Sequence, residues 1–144
     1  MRRVALLLLT VLAAAGCGGS SSTPTITADH ATLTAVHVRG NEVEFDFDGV
    51  PAEISTVVPT RPQLAECGSG APVRVRGAAV VVVRFRPAQT HGLPKRIAGG
   101  SGPVLELAKT CDFEADVAWA VGLARKLRPS VSQSGSVVTV TFGG

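Results

Sequence analysis

Strict alternation of apolar and acidic residues in the segment Glu42–Asp48 (EVEFDFD) constrains the fold more than any other feature of the chain. Side chains of a β-strand point alternately to opposite faces of the sheet. A strand here therefore places Val43, Phe45 and Phe47 on one face and the acidic residues on the other. Glycine and proline at residues 49–51 end the run. The segment predicts a strand with one buried face and one solvated face.

Other short runs of strand type follow along the chain. Residues 32–39 are separated from the first run only by Gly40 and Asn41, which is a hairpin signal. Four consecutive valines within residues 78–86 favour a strand covered on both faces. The Gly- and Pro-rich residues 90–103 are predicted to be a long exposed loop. Further strands are predicted at residues 53–58, 104–107 and 136–142.

Residues 112–126 (DFEADVAWAVGLARK) fit two structures. As a strand, the segment places its apolar residues on one face and Asp112, Glu114 and Asp116 on the other. As a helix, it begins with acidic residues and ends with basic ones, as the helix dipole favours. The residue pattern leaves both open. The chain as a whole, with its many short strands and turn signals, is predicted to be all-β and to form a single β-sandwich domain.

The N-terminus has the features of an export signal. Arg2 and Arg3 precede an uncharged apolar run that is shorter than the roughly 20 residues a membrane-spanning helix needs. Small residues then lead to Cys17, which resembles the bacterial lipobox cysteine that receives a diacylglyceryl group, although Ala14 stands where leucine is usual. Residues 1–16 are expected to be a lipoprotein signal peptide. A plain signal peptide with an incidental cysteine is the alternative.

The residues after the signal peptide predict a tether. Residues 17–28 comprise the lipidated Cys17 and a stretch rich in glycine, serine and threonine, which behaves as flexible coil. Residues 29–144 then form the folded domain. Because a mature lipoprotein carries two or three acyl chains, we expect a stable lipid anchor on the extracytoplasmic face of the cell membrane.

The cysteine count predicts a disulfide. Of the three cysteines, Cys67 and Cys111 remain once Cys17 is lipidated. Outside the cytoplasm such a pair is expected to oxidise, closing a loop of about 44 residues. Two buried free thiols are the alternative. Two cysteines without a histidine cluster are poor evidence for zinc, and no metal or cofactor is predicted.

Charge and aromatic content argue against a nucleic-acid partner. The formal net charge of +3 falls to +1 when Arg2 and Arg3 leave with the signal peptide. Tyrosine is absent, and no cluster of lysine and arginine is interleaved with aromatic residues. Binding of single-stranded nucleic acid by base stacking beside a basic patch is therefore not expected.

Three segments, taken in order, resemble the AMIN-like domain of actinobacterial lipoproteins. Residues 43–47 carry the V-x-F-D-F core, and G-x-P follows it. Residues 77–91 match G-x-A-x-L-x-V-x-F-x-P-A-x-x-H except for valine at the leucine position, and residues 113–123 match F-E-x-x-V-x-x-x-x-G-L. The resemblance covers about residues 31–142, although the closing strand lacks the arginine and aspartate of the family pattern.

The resemblance implies a non-catalytic β-sandwich module that contacts peptidoglycan or an envelope protein. It also favours a strand at residues 112–123. Two alternatives come from other functional classes. One is a lipoprotein that binds a small ligand in a pocket between the sheets or under the loop of residues 90–103. The other is a hydrolase that uses paired carboxylates.

Four residues are candidates for binding: His91, Asp46, Asp48 and Glu114. His91 matches a family position, and the acidic residues can act as a pair for glycoside hydrolysis or as oxygen ligands for calcium. Alternate acids on a strand more often form its solvated face, and Arg84 and Arg86 are suited to pair with them across strands. The chain has no G-x-S-x-G motif, so no catalytic residue is predicted and the protein is expected not to be an enzyme.

Overall fold

A computed structural model of the chain describes residues 30–59 and 63–144. The predictions for the signal peptide, for Cys17 and for the tether therefore lie outside the described residues. Within the described part, no helix is long and apolar enough to cross a bilayer. The strands are β1 Ala31–Arg39, β2 Glu42–Asp48, β3 Glu53–Val57, β4 Leu64–Ala65, β5 Pro72–Val73, β6 Ala79–Arg86, β7 Ala88–Thr90, β8 Arg96–Ala98, β9 Val104–Phe113, β10 Asp116–Leu123, β11 Arg128–Ser134 and β12 Val137–Gly143.

Two five-stranded sheets share one apolar core. Sheet A has the strand order β11-β12-β2-β1-β7, and sheet B has the order β3-β6-β10-β9-β8. β4 and β5 form a separate small hairpin. Strand pairs within the two sheets are antiparallel, apart from the parallel pair β1 and β7. The prediction of an all-β, single β-sandwich domain is confirmed.

The alternation in β2 sets the inner face of sheet A, as predicted. Val43, Phe45 and Phe47 are all buried. Phe85 of β6 reaches across from sheet B, and its ring centroid lies 4.9 Å from that of Phe45 and 4.9 Å from that of Phe47. These tilted aromatic contacts join the two sheets at the centre of the core.

The segment that fits both helix and strand is a strand that follows a tight turn. Glu114 and Ala115 have φ angles of 51° and 61°, the left-handed conformation of a type I′ hairpin. Asp112 pairs with Val117 across the hairpin, while Phe113 pairs with Asp116. Because neighbouring residues of a strand face opposite ways, the two aspartates lie on opposite faces of sheet B. The prediction that Asp112, Glu114 and Asp116 line one face is therefore wrong.

Residues 63–77, here called the strap, cross the outer face of sheet B. The disulfide between Cys67 and Cys111 ties the strap to β9, as the cysteine count predicts. The Cys67 amide also donates a hydrogen bond to the Thr110 carbonyl at 2.8 Å. Gly122 of β10 lies so close beneath the strap that a Cβ there would be 2.0 Å from the carbonyl oxygen of Arg76. The strap thus covers the face of β10 that points away from the core.

Three further predictions differ from the structure in extent. Residues 90–103 are not all loop, because β8 lies within them and pairs with β9. The strand predicted at residues 104–107 extends to Phe113. β11 is missing from the predicted strands, because its polar sequence RPSVSQS shows no buried face. It is held at the sheet edge through its backbone pairing with β12.

Candidate functional site

The outward side of β1, β2 and β12 is the main exposed polar surface of sheet A. Cross-strand pairing aligns Glu44 with His37 on one side and with Thr139 on the other. Glu42 is aligned in the same way between Arg39 and Thr141. We call this surface the polar face; its residues are His37, Arg39, Glu42, Glu44, Asp46, Thr139 and Thr141.

One cluster on the polar face has the composition of a metal site. The ligand atoms of His37, Glu44 and Asp46 all lie within 4.8 Å of one another. However, His37 Nε2 is already 3.3 Å from Asp46 Oδ2, and the Arg39 guanidinium is 3.6 Å from Glu44 Oε1. The His37 side chain is also 47% exposed. The ligand atoms of the cluster are therefore already in contact with neighbouring side chains at a solvated surface, where such contacts contribute little to stability.

A second polar cluster lies on the inward-facing side of β9, where β7 meets it. The Lys109 ammonium donates to Thr90 Oγ1 at 2.8 Å and to Asp112 Oδ2 at 3.0 Å. Thr90 donates to the same carboxylate from both its amide and its hydroxyl. Lys109 is only 14% exposed, and its Nζ lies 6.0 Å from the ring centroid of the buried Trp119. This Thr90–Lys109–Asp112 cluster links sheet A to sheet B.

The surroundings of Asp112 set its ionisation. Partial burial raises the pKa of its carboxyl group, but the hydrogen bonds from Thr90 and Lys109 outweigh burial and hold the pKa below its ordinary value. The carboxylate consequently accepts its hydrogen bonds from neighbouring residues of the domain, Thr90 and Lys109. Sequence reasoning placed Asp112 in an acidic row and missed Thr90 and Lys109, since nothing in their spacing indicates that β7 and β9 meet.

The acidic residues of the two sheets do not face one another. Asp46 lies on the outer face of sheet A, whereas Asp116 lies on the outer face of sheet B. Asp116 is held there by Arg86, which donates a hydrogen bond to it, and by Arg84, whose Nε is 3.3 Å from Asp116 Oδ1. The expected cross-strand pairing of these arginines with an acidic residue is thus present. The outer faces of a sandwich point away from each other, so these rows do not make a two-carboxylate hydrolase site.

The four candidate binding residues belong to three separate places in the fold. Asp46 and Asp48 are on β2, and Asp48 is exposed at its end. His91 is exposed in the bend after β7, where its amide donates to the Leu33 carbonyl at 3.1 Å. Glu114 is exposed in the turn between β9 and β10. Within the described residues, the structure does not bring the four together by hydrogen bonds or ion pairs.

A hollow of about 650 Å³ lies on the outer face of sheet B, between the strap and the beginning of β6. Its walls are mainly apolar, and Arg74 and Lys126 also line it. A smaller hollow of about 300 Å³ adjoins it, shares Val58, Val80 and Lys126, and adds Arg128. The larger hollow is therefore neither between the sheets nor under the loop of residues 90–103, the two places where a pocket was expected. The smaller one is lined by β6 of sheet B and by Arg128 and Pro129 of β11 in sheet A, so it lies at the edge between the two sheets.

Comparison with known proteins identifies the family of the domain. The family model of the AMIN-like domain matches residues 31–139. The match begins with β1 and runs into β12, so it includes strands of both sheets and the strap. No curated protein and no solved structure shows a significant match. Since the family model covers most of the chain and the chain folds as the single β-sandwich that the resemblance implies, the protein belongs to the AMIN-like domain family.

Proposed function

We propose that this protein is an exported lipoprotein, anchored to the membrane through Cys17, whose AMIN-like domain binds the peptidoglycan of the cell wall without catalysis. Membership of the AMIN-like family supports a non-catalytic binding module with a cell-wall association. The apolar N-terminal run and the cysteine that follows it support export and lipidation. An envelope protein is the alternative partner.

The polar face is the observation that carries the wall-binding proposal. It presents hydroxyl, carboxylate, imidazole and guanidinium groups on three adjacent strands. Glycan hydroxyls, acetamido groups and stem-peptide carboxylates are matching hydrogen-bond partners. A sheet holds such groups at fixed spacings, so an extended polymer can contact several of them at once without a deep cleft.

Co-sedimentation with purified peptidoglycan tests wall binding. The mature chain from residue 17, with Cys17→Ser, should sediment with insoluble peptidoglycan. Replacing the aligned pair Glu44 and Thr139 with alanine should weaken binding by about 1 kcal/mol, or roughly fivefold. The matched control replaces Glu53 and Ser55, an acid and a hydroxyl residue on β3 of sheet B, and should bind normally.

The outcomes separate the two proposed partners. Equal binding of the polar-face variant and the control would refute the polar face as the contact surface. If the protein itself stays in the supernatant at low salt, direct wall binding is refuted. Crosslinking in intact cells that retrieves one envelope protein would then support the alternative.

Cell fractionation tests the anchor. The wild-type protein should be in the membrane fraction, and Cys17→Ser should release it. The variant that carries Cys67→Ala and Cys111→Ala retains Cys17 and should stay with the membrane. Retention of the Cys17→Ser protein would refute lipidation as the anchor.

A further inference from the structure

We propose that the hollow on the outer face of sheet B binds an anionic amphiphile, a molecule with one hydrocarbon chain and a carboxylate or phosphate head group. The proposed site is on a different sheet from the polar face. It adds a lipid-binding activity to the domain and does not depend on contact with the wall.

The walls of the hollow suit a hydrocarbon chain. Val58, Leu64, Val73, Val75 and Val80 line it, and the strap and sheet B contribute opposite sides. A volume of about 650 Å³ is within the range of small-molecule sites. Val58 is 50% exposed, so apolar surface here still faces water and would be covered by a bound chain.

The rim carries positive charge that no carboxylate of the described residues pairs with. Most basic residues of the described part are paired with a carboxylate, including Arg84 and Arg96. Within residues 30–59 and 63–144, the basic residues without an ion pair are Arg74, Arg125, Lys126 and Arg128. Three of these four line the two adjoining hollows, whose described lining contains no acidic residue.

Apolar walls beside unpaired cations define the ligand chemistry. An apolar slot alone would accept any hydrocarbon chain. Guanidinium and ammonium groups at its rim favour an anionic head group, because charge-assisted hydrogen bonds to carboxylate or phosphate are stronger than neutral ones. Lys126 lines both hollows, so it lies where a head group can sit while a chain extends into the larger one.

Calorimetric titration with dodecanoate and dodecanol tests the proposal on the mature Cys17→Ser chain. Dodecanoate should bind one-to-one and at least about tenfold more tightly than dodecanol, since only the carboxylate gains from the cations. Octanoate should bind more weakly than dodecanoate, by up to about fourfold for each methylene that is no longer buried. Equal affinity for dodecanoate and dodecanol would overturn the proposal that the cations at the rim bind an anionic head group.

Matched variants separate the site from general effects of charge. Val58→Asp should abolish dodecanoate binding, whereas Val50→Asp, at a valine that is 61% exposed and does not line the hollow, should leave it unchanged. Lys126→Glu should weaken dodecanoate about tenfold and dodecanol less than twofold. Arg125→Glu is the control for net charge. Equal losses of dodecanoate affinity in a variant and in its control would overturn the proposal that the hollow is the binding site.

Two further experiments identify the source of the hydrocarbon chain that the hollow binds. Lysophosphatidylglycerol presents the same chemistry as a lipid phosphate, and binding by it but not by dodecanoate assigns the site to phospholipid. If the lipidated protein cannot bind either probe while Cys17→Ser can, its own acyl chain fills the hollow and the proposal of a diffusible ligand is overturned. Loss of peptidoglycan co-sedimentation with amphiphile binding intact would count against wall contact only.

Discussion

Asp112 is a residue whose ionisation is linked to the fold. Its carboxylate receives hydrogen bonds from Thr90 and Lys109, and these contacts hold its pKa below the ordinary value despite partial burial. A depressed folded-state pKa means that the ionised group stabilises the fold above the unfolded pKa of about 3.9. This stabilisation is lost as the pH falls through the lower folded-state value.

Replacing Asp112 should therefore change how stability depends on acid. We expect Asp112→Asn to be less stable than the wild type at pH 7 and to lose less additional stability below about pH 4. Urea unfolding at a series of pH values from neutral to strongly acid measures both effects. Asp48→Asn, at an exposed position, is the control. If the free energy of unfolding of Asp112→Asn falls with pH below about pH 4 as steeply as that of the wild type, ionisation of Asp112 is not linked to stability.

Ala115 offers a second test at this scale. Its φ of 61° lies in the left-handed region, where a Cβ is unfavourable and glycine is not. Ala115→Gly should raise the free energy of unfolding by about 0.5–1 kcal/mol, after the unfolded-state entropy of glycine is subtracted. Thermal unfolding should show a higher midpoint. Ala52→Gly, at an exposed alanine outside that region, should be neutral or destabilising.

The same turn explains why the site could not be fully predicted from sequence. Neither Glu114 nor Ala115 is a glycine, proline or asparagine that would signal a turn, so the alternation of the sequence pattern continues through them. Continuing it put Asp112 and Asp116 on one face, although the turn separates them. By contrast, the faces of β2 were predictable because an uninterrupted strand alternates without exception.

At the scale of elements, the strap depends on close packing over β10. A Cβ on Gly122 would be 2.0 Å from the Arg76 carbonyl oxygen and 2.5 Å from a Val75 methyl carbon. The strap therefore cannot keep its position over β10 if residue 122 carries a side chain. Its position also determines the hollow, since Val73 and Val75 are part of the wall.

Gly122→Ala should push the strap away from sheet B. We expect a loss of about 2 kcal/mol in the free energy of unfolding, in the range for overpacked sites, together with weaker dodecanoate binding. Gly143→Ala, where a Cβ would meet nothing within 4 Å, is the control. Unchanged stability and unchanged binding in Gly122→Ala would show that the strap is not seated as described.

Strands were predicted correctly where buried side chains give the sequence an apolar pattern. They were missed where a strand is held mainly by its backbone hydrogen bonds. The valine-rich run was correctly placed as β6, and the first hairpin was placed to within one residue. β8 and β11 are edge strands with few buried side chains, so neither shows a clear apolar period. The strap has no regular period either, and its course is determined by the disulfide and by close backbone approach.

For the whole molecule, one disulfide joins the strap to a sandwich whose core is already complete. Replacing Cys67 and Cys111 with alanine should lower the free energy of unfolding by about 4 kcal/mol, the entropy estimate for a loop of this length. The polar face should still bind peptidoglycan, because no part of it touches the strap. Urea unfolding of the Cys17→Ser chain with and without reductant is the direct comparison, and no change on reduction would contradict a structural bridge.

Sheet A has a consequence for the timing of folding. Its order, β11-β12-β2-β1-β7, inserts the last strand of the chain between β2 and β11. A ribosome releases β1 and β2 early, but one edge of β2 has no partner until residues 137–141 arrive. Sheet A therefore stays incomplete until these residues are available, whereas all strands of sheet B precede them. A chain cut before residue 137 should therefore leave one edge of β2 unpaired and sheet A incomplete.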